Sequence, residues 1–362
     1  MPKAVNPWRV LVKGLMLFAL FEYFFFTSAF NVGSLDVYDA LGIQRLRFPT
    51  STYAPEDAAL DAGNLDAMFA SHIVSQPKAA NEFRVMVFGD SAMWGIGETP
   101  DQTLPGQLGA IGLTCDDKIV HVYNLSYPRS SATKDLMILD KALQYQPDLI
   151  VWVLTLYTLM PKTRVDHWLV TQNPDEFYEL GSGFGFLPKD YEPPTELDKI
   201  LAKQRALFRT VRYELYSLVN LAVGVDQIQG DYEDVPTDLS ADLAFEGLYP
   251  PAIKPSQLSI DQVKDFYTLA DTTPVILVNE PIMVLKNKTN SDVRYNFYYP
   301  RWVYDQYRQY LGEAAEQNNW DYLDLWDTFP SESFTNTPLH LNPAGERKLA
   351  EMIAPSVEKA CP

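Results

Sequence analysis

The sequence predicts an α/β fold: a five-stranded parallel sheet flanked by helices, with an N-terminal transmembrane helix ahead of it and a helical and loop insertion inside it. Three observations carry that expectation. Short apolar runs recur from residue 83 onward, segments of helical character separate them, and an apolar N-terminal stretch follows a basic lead.

The elements follow in order. Met1–Lys13 is basic, and Gly14–Phe30 is apolar or aromatic except for Glu22, Thr27 and Ser28. Counted from Val10, the stretch reaches the ~20 residues that a bilayer span requires. Its basic flank puts the N-terminus in the cytoplasm and the remainder outside, at the cell membrane. Thr27-Ser28-Ala29 also fits a signal-peptide cleavage site, but the aromatic-rich stretch is long for that role, which favours a retained anchor. Residues 1–33 are therefore read as the anchor, 34–80 as a stalk and lead-in with helical character near Pro55–Ser71, and 81–362 as the α/β domain. Glu22 is costly in mid-span and either meets a partner helix or tilts toward the interface.

Val85–Phe88 is an apolar run closed by Gly89-Asp90-Ser91, a buried strand and its turn. Ile119–Asn124 is the second strand, and Ser131–Tyr145 the helix after it, with Thr133 as cap. Asp148–Thr155 is the third strand, continuous enough to be buried on both faces. Pro274–Asn279 and Trp320–Trp326 are the fourth and fifth. Helices fit over Ser259–Ala270, Tyr304–Gln317 and Pro343–Glu358. Residues 156–258 break this rhythm with prolines, the loop Gly181–Gly185 and an apolar helix near Ala206–Val225, and are read as an insertion. Arg209, Arg212 and Glu214 exclude a second span for that helix, which packs on the domain or rests on a membrane surface.

Apolar residues make up 47% of the chain, enough for a large core. A net charge of −18 repels phosphate backbones and excludes nucleic acid as a partner. No Cys/His cluster is present, which excludes a structural zinc site. Cys115 and Cys361 form one disulfide that ties down the C-terminus, or stay as two free thiols.

In an open parallel sheet, ligands sit beyond the C-terminal ends of the strands. Ser91 stands there, at the start of a helix whose unpaired N–H groups suit a developing oxyanion. A serine so placed needs a base. The chain has 4 histidines. His121 lies inside the second strand, His72 precedes the core and His167 falls in the insertion. His340, just ahead of the last helix, shares the sheet edge of Ser91.

The tetrapeptide Phe88-Gly89-Asp90-Ser91 after the first strand, with His340-Leu341-Asn342-Pro343-Ala344-Gly345 before the last helix, resembles the SGNH/GDSL hydrolase superfamily over roughly residues 83–160 and 260–355. The resemblance implies a flavodoxin-like sheet and ester hydrolysis or acyl transfer, with Ser91 as nucleophile, His340 as base and no metal or cofactor. Three positions depart from the family pattern. Thr337, with Asn336 beside it, stands where the family has an aspartate that orients the histidine. Asn124–Arg129 lacks the oxyanion glycine, and Thr155–Thr158 lacks the asparagine donor. Ser126, Arg129 and Thr155 are the candidate replacement donors, and Glu280 the candidate acid; a Ser91–His340 dyad works without one.

The segment Asn290–Arg308 is dense in amides, charges and aromatic rings, groups that suit a sugar; polar loop packing and surface ion pairs are the other reading of the same residues. The candidate substrate-binding residues are Asp90, Asn124, Tyr157, Asn279, Asn290, Asp292, Arg294, Tyr295, Asn296 and Arg301. The segment is also similar to loops of large bacterial SGNH-like proteins that accompany membrane-bound O-acyltransferases, which implies such a partner. The expected function is a membrane-anchored, extracytoplasmic esterase or acyltransferase acting on O-acyl, above all O-acetyl, groups of a cell-envelope carbohydrate. The alternative is a catalytically degenerate binding or scaffold subunit of a membrane or envelope complex.

Overall fold

The structure is a computed structural model of the full chain; the residues described are 6–27, 37, 41–42, 44–50, 63–223 and 237–361. Strands β1 (Glu82–Phe88), β2 (Thr114–Cys115), β3 (Lys118–Asn124), β4 (Leu149–Leu154), β5 (Val275–Asn279) and β6 (Asp321–Asp324) form one sheet in the order β2-β3-β1-β4-β5-β6. β1 and β4, at its centre, are buried along their whole length, as their unbroken apolar runs require.

Two features of the expected fold are corrected. The sheet is mixed and six-stranded, because β2 pairs antiparallel with β3 while every other neighbour pair is parallel. Cys115 pairs with Lys118 across a two-residue reversal at Asp116-Asp117, and Asp116 takes the left-handed conformation (φ 53°) that such a reversal needs. Secondly, no helix among the described residues is long and apolar enough to cross a membrane. The helix Pro7–Thr27 holds Arg9, Lys13 and Glu22 within its 21 residues, and these charges interrupt the apolar stretch. Residues 28–29 of the cleavage-site motif and 55–62 of the Pro55–Ser71 reading lie outside the described residues; the described part of the latter contains the helix Leu65–Ser71.

Helices cover the sheet. Trp152 of β4 stacks on Phe266 of the helix Ile260–Ala270, with ring centroids 3.9 Å apart. The helix Ala132–Ala142 is capped by Ser131, whose Oγ accepts from Lys134 N (3.2 Å). The expected cap, Thr133, is buried and accepts from Gln262 Nε2 (2.7 Å) instead.

The lead-in packs under the turn that carries Ser91. Trp94 Nε1 donates to Phe48 O (2.8 Å), and the buried Arg47 donates to Trp94 O (3.0 Å) and Gly95 O (2.9 Å). The C-terminus is tied to the sheet edge by a disulfide between Cys115 and Cys361, 246 residues apart in sequence.

Candidate active site

β1 ends at Phe88, and Gly89 carries the chain over β4. A Cβ on Gly89 would lie 2.5 Å from Met93 Cγ and 3.2 Å from Val153 O, so this close approach requires glycine. Asp90 then caps the single-turn helix Ser91–Trp94, its Oδ1 accepting from Ala92 N (3.0 Å) and its Oδ2 from Ser130 Oγ. Gly95, at φ 89°, ends that turn. Ser91 is thereby held at the C-terminal edge of the sheet.

His340 reaches it from the other side of the chain. Ser91 Oγ lies 2.9 Å from His340 Nε2, and His340 Nδ1 lies 2.8 Å from Asn336 Oδ1. An amide oxygen only accepts, so Nδ1 carries the proton and the Nε2 lone pair faces the Ser91 hydroxyl. Burial pushes the imidazole down to about 4, against the opposing pull of the Asp90 charge. His340 is therefore neutral at pH 7.

Asn336 holds the place that an orienting carboxylate would take. A short hairpin brings it there: Phe334 bridges Leu341, and Thr335 N donates to His340 O (2.8 Å), which folds residue 336 back onto residue 340. Thr337, at the position of the family's aspartate, turns inward instead. Its Oγ1 accepts from Leu339 N (3.2 Å) and His340 N (3.1 Å) and fixes the turn.

The other histidines are used elsewhere. His72 is fully buried, pushed down to about 4 by burial, and accepts from Val74 N (3.1 Å). His167 accepts from Leu169 N (3.1 Å) at Nδ1, so its Nε2–H donates to Pro128 O (3.0 Å). His121 is exposed on β3.

The loop after β3 forms one wall of the site. Lys134, fully buried, donates to Gly89 O (2.6 Å) and Tyr127 O (2.8 Å) and pairs with Asp135 (2.9 Å). Together with His167 it fixes this loop against the Gly89–Ser91 turn. Arg129, at φ 68°, adopts in this loop the left-handed backbone that glycine occupies freely.

Ser91 and His340 open into a cleft of about 460 Å³ walled by Asp90, Arg129, Ser130, Tyr157, Tyr298 and Asn336, among others. Of the candidate oxyanion donors, Arg129 lines it. Ser126 is buried and its Oγ faces Val87 O (3.5 Å), while Thr155 Oγ1 engages Tyr299 Oη (3.0 Å). Glu280 is fully buried beside Thr155, with its carboxyl well above the usual range through burial and the nearby Asp90 charge; Asn336, not Glu280, faces His340.

Of the candidate substrate-binding residues, Asp90 and Tyr157 line the cleft and the rest are placed elsewhere. Asn124 ties Met93 O to Ser126 N (2.9 and 3.1 Å). Asn279 bridges Asp324 and Tyr307 (both 2.8 Å). Arg294 spends its guanidinium on the carbonyls of Asp242, Asn296, Phe297 and Tyr298. Asn296 holds the N–H groups of Tyr298 and Tyr299 (both 2.9 Å), Tyr295 donates to Asp305 (2.6 Å), Asn290 to Leu239 O (2.6 Å) and Arg301 to Ser291 O (2.8 Å). Asp292 is exposed. The polar density of 290–301 is thus spent on folding the loop, which delivers Tyr298 to the cleft. Asn336, Ser130 and Tyr298 are the site residues that sequence reasoning did not select.

No protein-family model matches the chain, and no curated protein matches it. Among solved structures, it aligns with a carbohydrate acetylesterase family member from Sinorhizobium meliloti at 15% identity and TM-score 0.34, over 77% of this chain and 98% of that one. A lipase/acylhydrolase from Enterococcus faecalis aligns at 14% identity and TM-score 0.38, over 76% and 95%. An aryl esterase from M. smegmatis aligns at 15% and 0.34, over 76% and 99%. At such distance, what the site does is read from its own geometry.

Proposed function

We propose that this chain is an SGNH-type serine esterase that removes or transfers short O-acyl groups, acetyl above all, on a carbohydrate. The observation that carries the reading is the Ser91–His340–Asn336 relay of 2.9 and 2.8 Å opening into the cleft. Ser91 Oγ attacks the acyl carbonyl while His340 Nε2 takes its proton. The same proton then passes to the departing sugar oxygen, leaving an acyl-serine. Water, or a second sugar hydroxyl, attacks that ester with His340 again as base. The Ser91 N–H and Arg129, both at the cleft, are the donors this reading assigns to the developing oxyanion. Tyr157 and Tyr298, with ring centroids 5.9 Å apart, offer aromatic faces for a sugar ring.

The Cys115–Cys361 disulfide supports an oxidising, extracytoplasmic location for the domain. The test is acetate release from O-acetylated oligosaccharides by the full chain. Ser91→Ala should lower it by on the order of 10³-fold or more. Release that Ser91→Ala leaves unchanged, or no release at all, contradicts the reading.

A further inference from the structure

The helix Glu196–Val223 turns Thr210, Tyr213 and Ser217 toward the domain, where all three are buried. On its other side Leu197, Leu201, Phe208, Val211, Leu215 and Leu218 recur at spacings of three, four and seven and remain exposed, Phe208 to 73% and Leu215 to 72%. At helical periodicity these side chains form a single stripe directed away from Tyr213. From Leu197 to Leu218, at ~1.5 Å per residue, the stripe runs for roughly 30 Å. Apolar surface this continuous is rarely left in water.

Two further observations say what covers it. Gln204 sits in the same stripe, and its Nε2 donates to Glu22 Oε2 (2.8 Å), which ties the helix Pro7–Thr27 to the stripe at that point. That helix exposes Val10, Leu11 and Val12, and then Leu15 through Phe18, so its apolar side chains point to every side. These side chains lengthen the apolar surface that the stripe begins. The second observation is charge. Arg205 and Arg212 border one edge of the stripe, while on the other edge Glu196 sits at the first turn and Glu214 is engaged by Val37 N; Arg9 and Lys13 lie on the neighbouring helix with Glu22, in a chain whose net charge is −18. Basic residues gathered along an apolar surface match an anionic headgroup layer.

We propose that the Glu196–Val223 helix, with Pro7–Thr27 beside it, lies along an anionic phospholipid bilayer, the stripe sunk into the headgroup–acyl boundary and Arg205 and Arg212 set against lipid phosphates. Neither helix crosses the bilayer in this arrangement. The proposal is independent of the esterase chemistry at Ser91.

The test labels the purified full chain at one added thiol, Phe208→Cys, with an environment-sensitive fluorophore; Cys115 and Cys361 are joined and do not compete. Leu215→Cys is the second position if the first variant does not fold, and the exposed β3 position His121→Cys is the control. With phosphatidylglycerol vesicles the label at 208 or 215 should shift to the blue and be quenched by brominated acyl chains, while the label at 121 should not change. Phosphatidylcholine vesicles should give a smaller shift, and Arg205→Glu with Arg212→Glu should erase the difference between the two lipids. A label that stays water-exposed on bound vesicles overturns the proposal. So does a shift that is complete without lipid and grows with protein concentration, the signature of a second copy on the stripe. Equal shifts on both lipids overturn the role of the arginines.

Discussion

At the scale of the residue, the unusual member of the site is Asn336. It fixes the tautomer and orientation of His340 through Oδ1 but brings no charge to steady the imidazolium that the proposed attack by Ser91 would form. The folded pKa of His340 is about 4, below the ordinary value of 6.5, so the base is neutral and able to accept a proton at any pH above about 4. The acid limb of kcat/KM should therefore have its midpoint near 4. A carboxylate against Nδ1 favours the charged ring, so Asn336→Asp should move that limb to higher pH. A profile of both proteins on one soluble acetyl ester checks this; a midpoint at 6.5 in the unaltered chain would put His340 in water. Linkage runs the same way for stability. Below pH 6.5 the unfolded histidine gains a proton that the folded one refuses, so the contribution of His340 falls as the pH drops from 6.5 toward 4.

At the scale of the element, the site depends on two loops held from behind. Lys134 gathers the Gly89 and Tyr127 carbonyls and the Asp135 carboxylate, in a position with no access to water. Lys134→Met removes the charge and leaves all three without it. That should cost about 3–5 kcal/mol in urea unfolding and lower turnover as the Arg129 loop loosens; an unchanged midpoint and rate would show that the loop stands without the lysine. These loops also mark where the sequence stops being legible. The strand run Val85–Phe88, the turn at Gly89 and the single histidine before the last helix could be read from residue types alone. The orienting residue could not, because the register of a hairpin, Phe334 against Leu341, decides that residue 336 and not 337 meets the ring. The block 290–301 misled for a related reason: residue counts do not reveal whether a guanidinium such as that of Arg294 is free or surrounded by four carbonyls. The extra strand β2 is two residues long, too short to leave a periodic pattern.

At the scale of the whole molecule, the disulfide closes nearly the entire α/β body into one loop by joining β2 to the end of the last helix, Pro343–Lys359. Restricting so long a segment of the unfolded chain should stabilise the domain by roughly 2–5 kcal/mol. Thermal unfolding with and without reductant, and of Cys115→Ser, should show the same drop in Tm; an unchanged Tm on full reduction would mean that the bond constrains little. The two long helices outside the sheet, Pro7–Thr27 and Glu196–Val223, add no group to the Ser91 cleft, so the proposed surface attachment and the proposed chemistry can be tested separately.

The central claim is that Ser91 is a nucleophile activated by His340. Exposure of the full chain to a fluorophosphonate, followed by mass mapping, tests it most directly. One adduct, on the peptide carrying Ser91 and lost in His340→Ala, is the predicted result; no adduct, or an adduct on another serine, would contradict it.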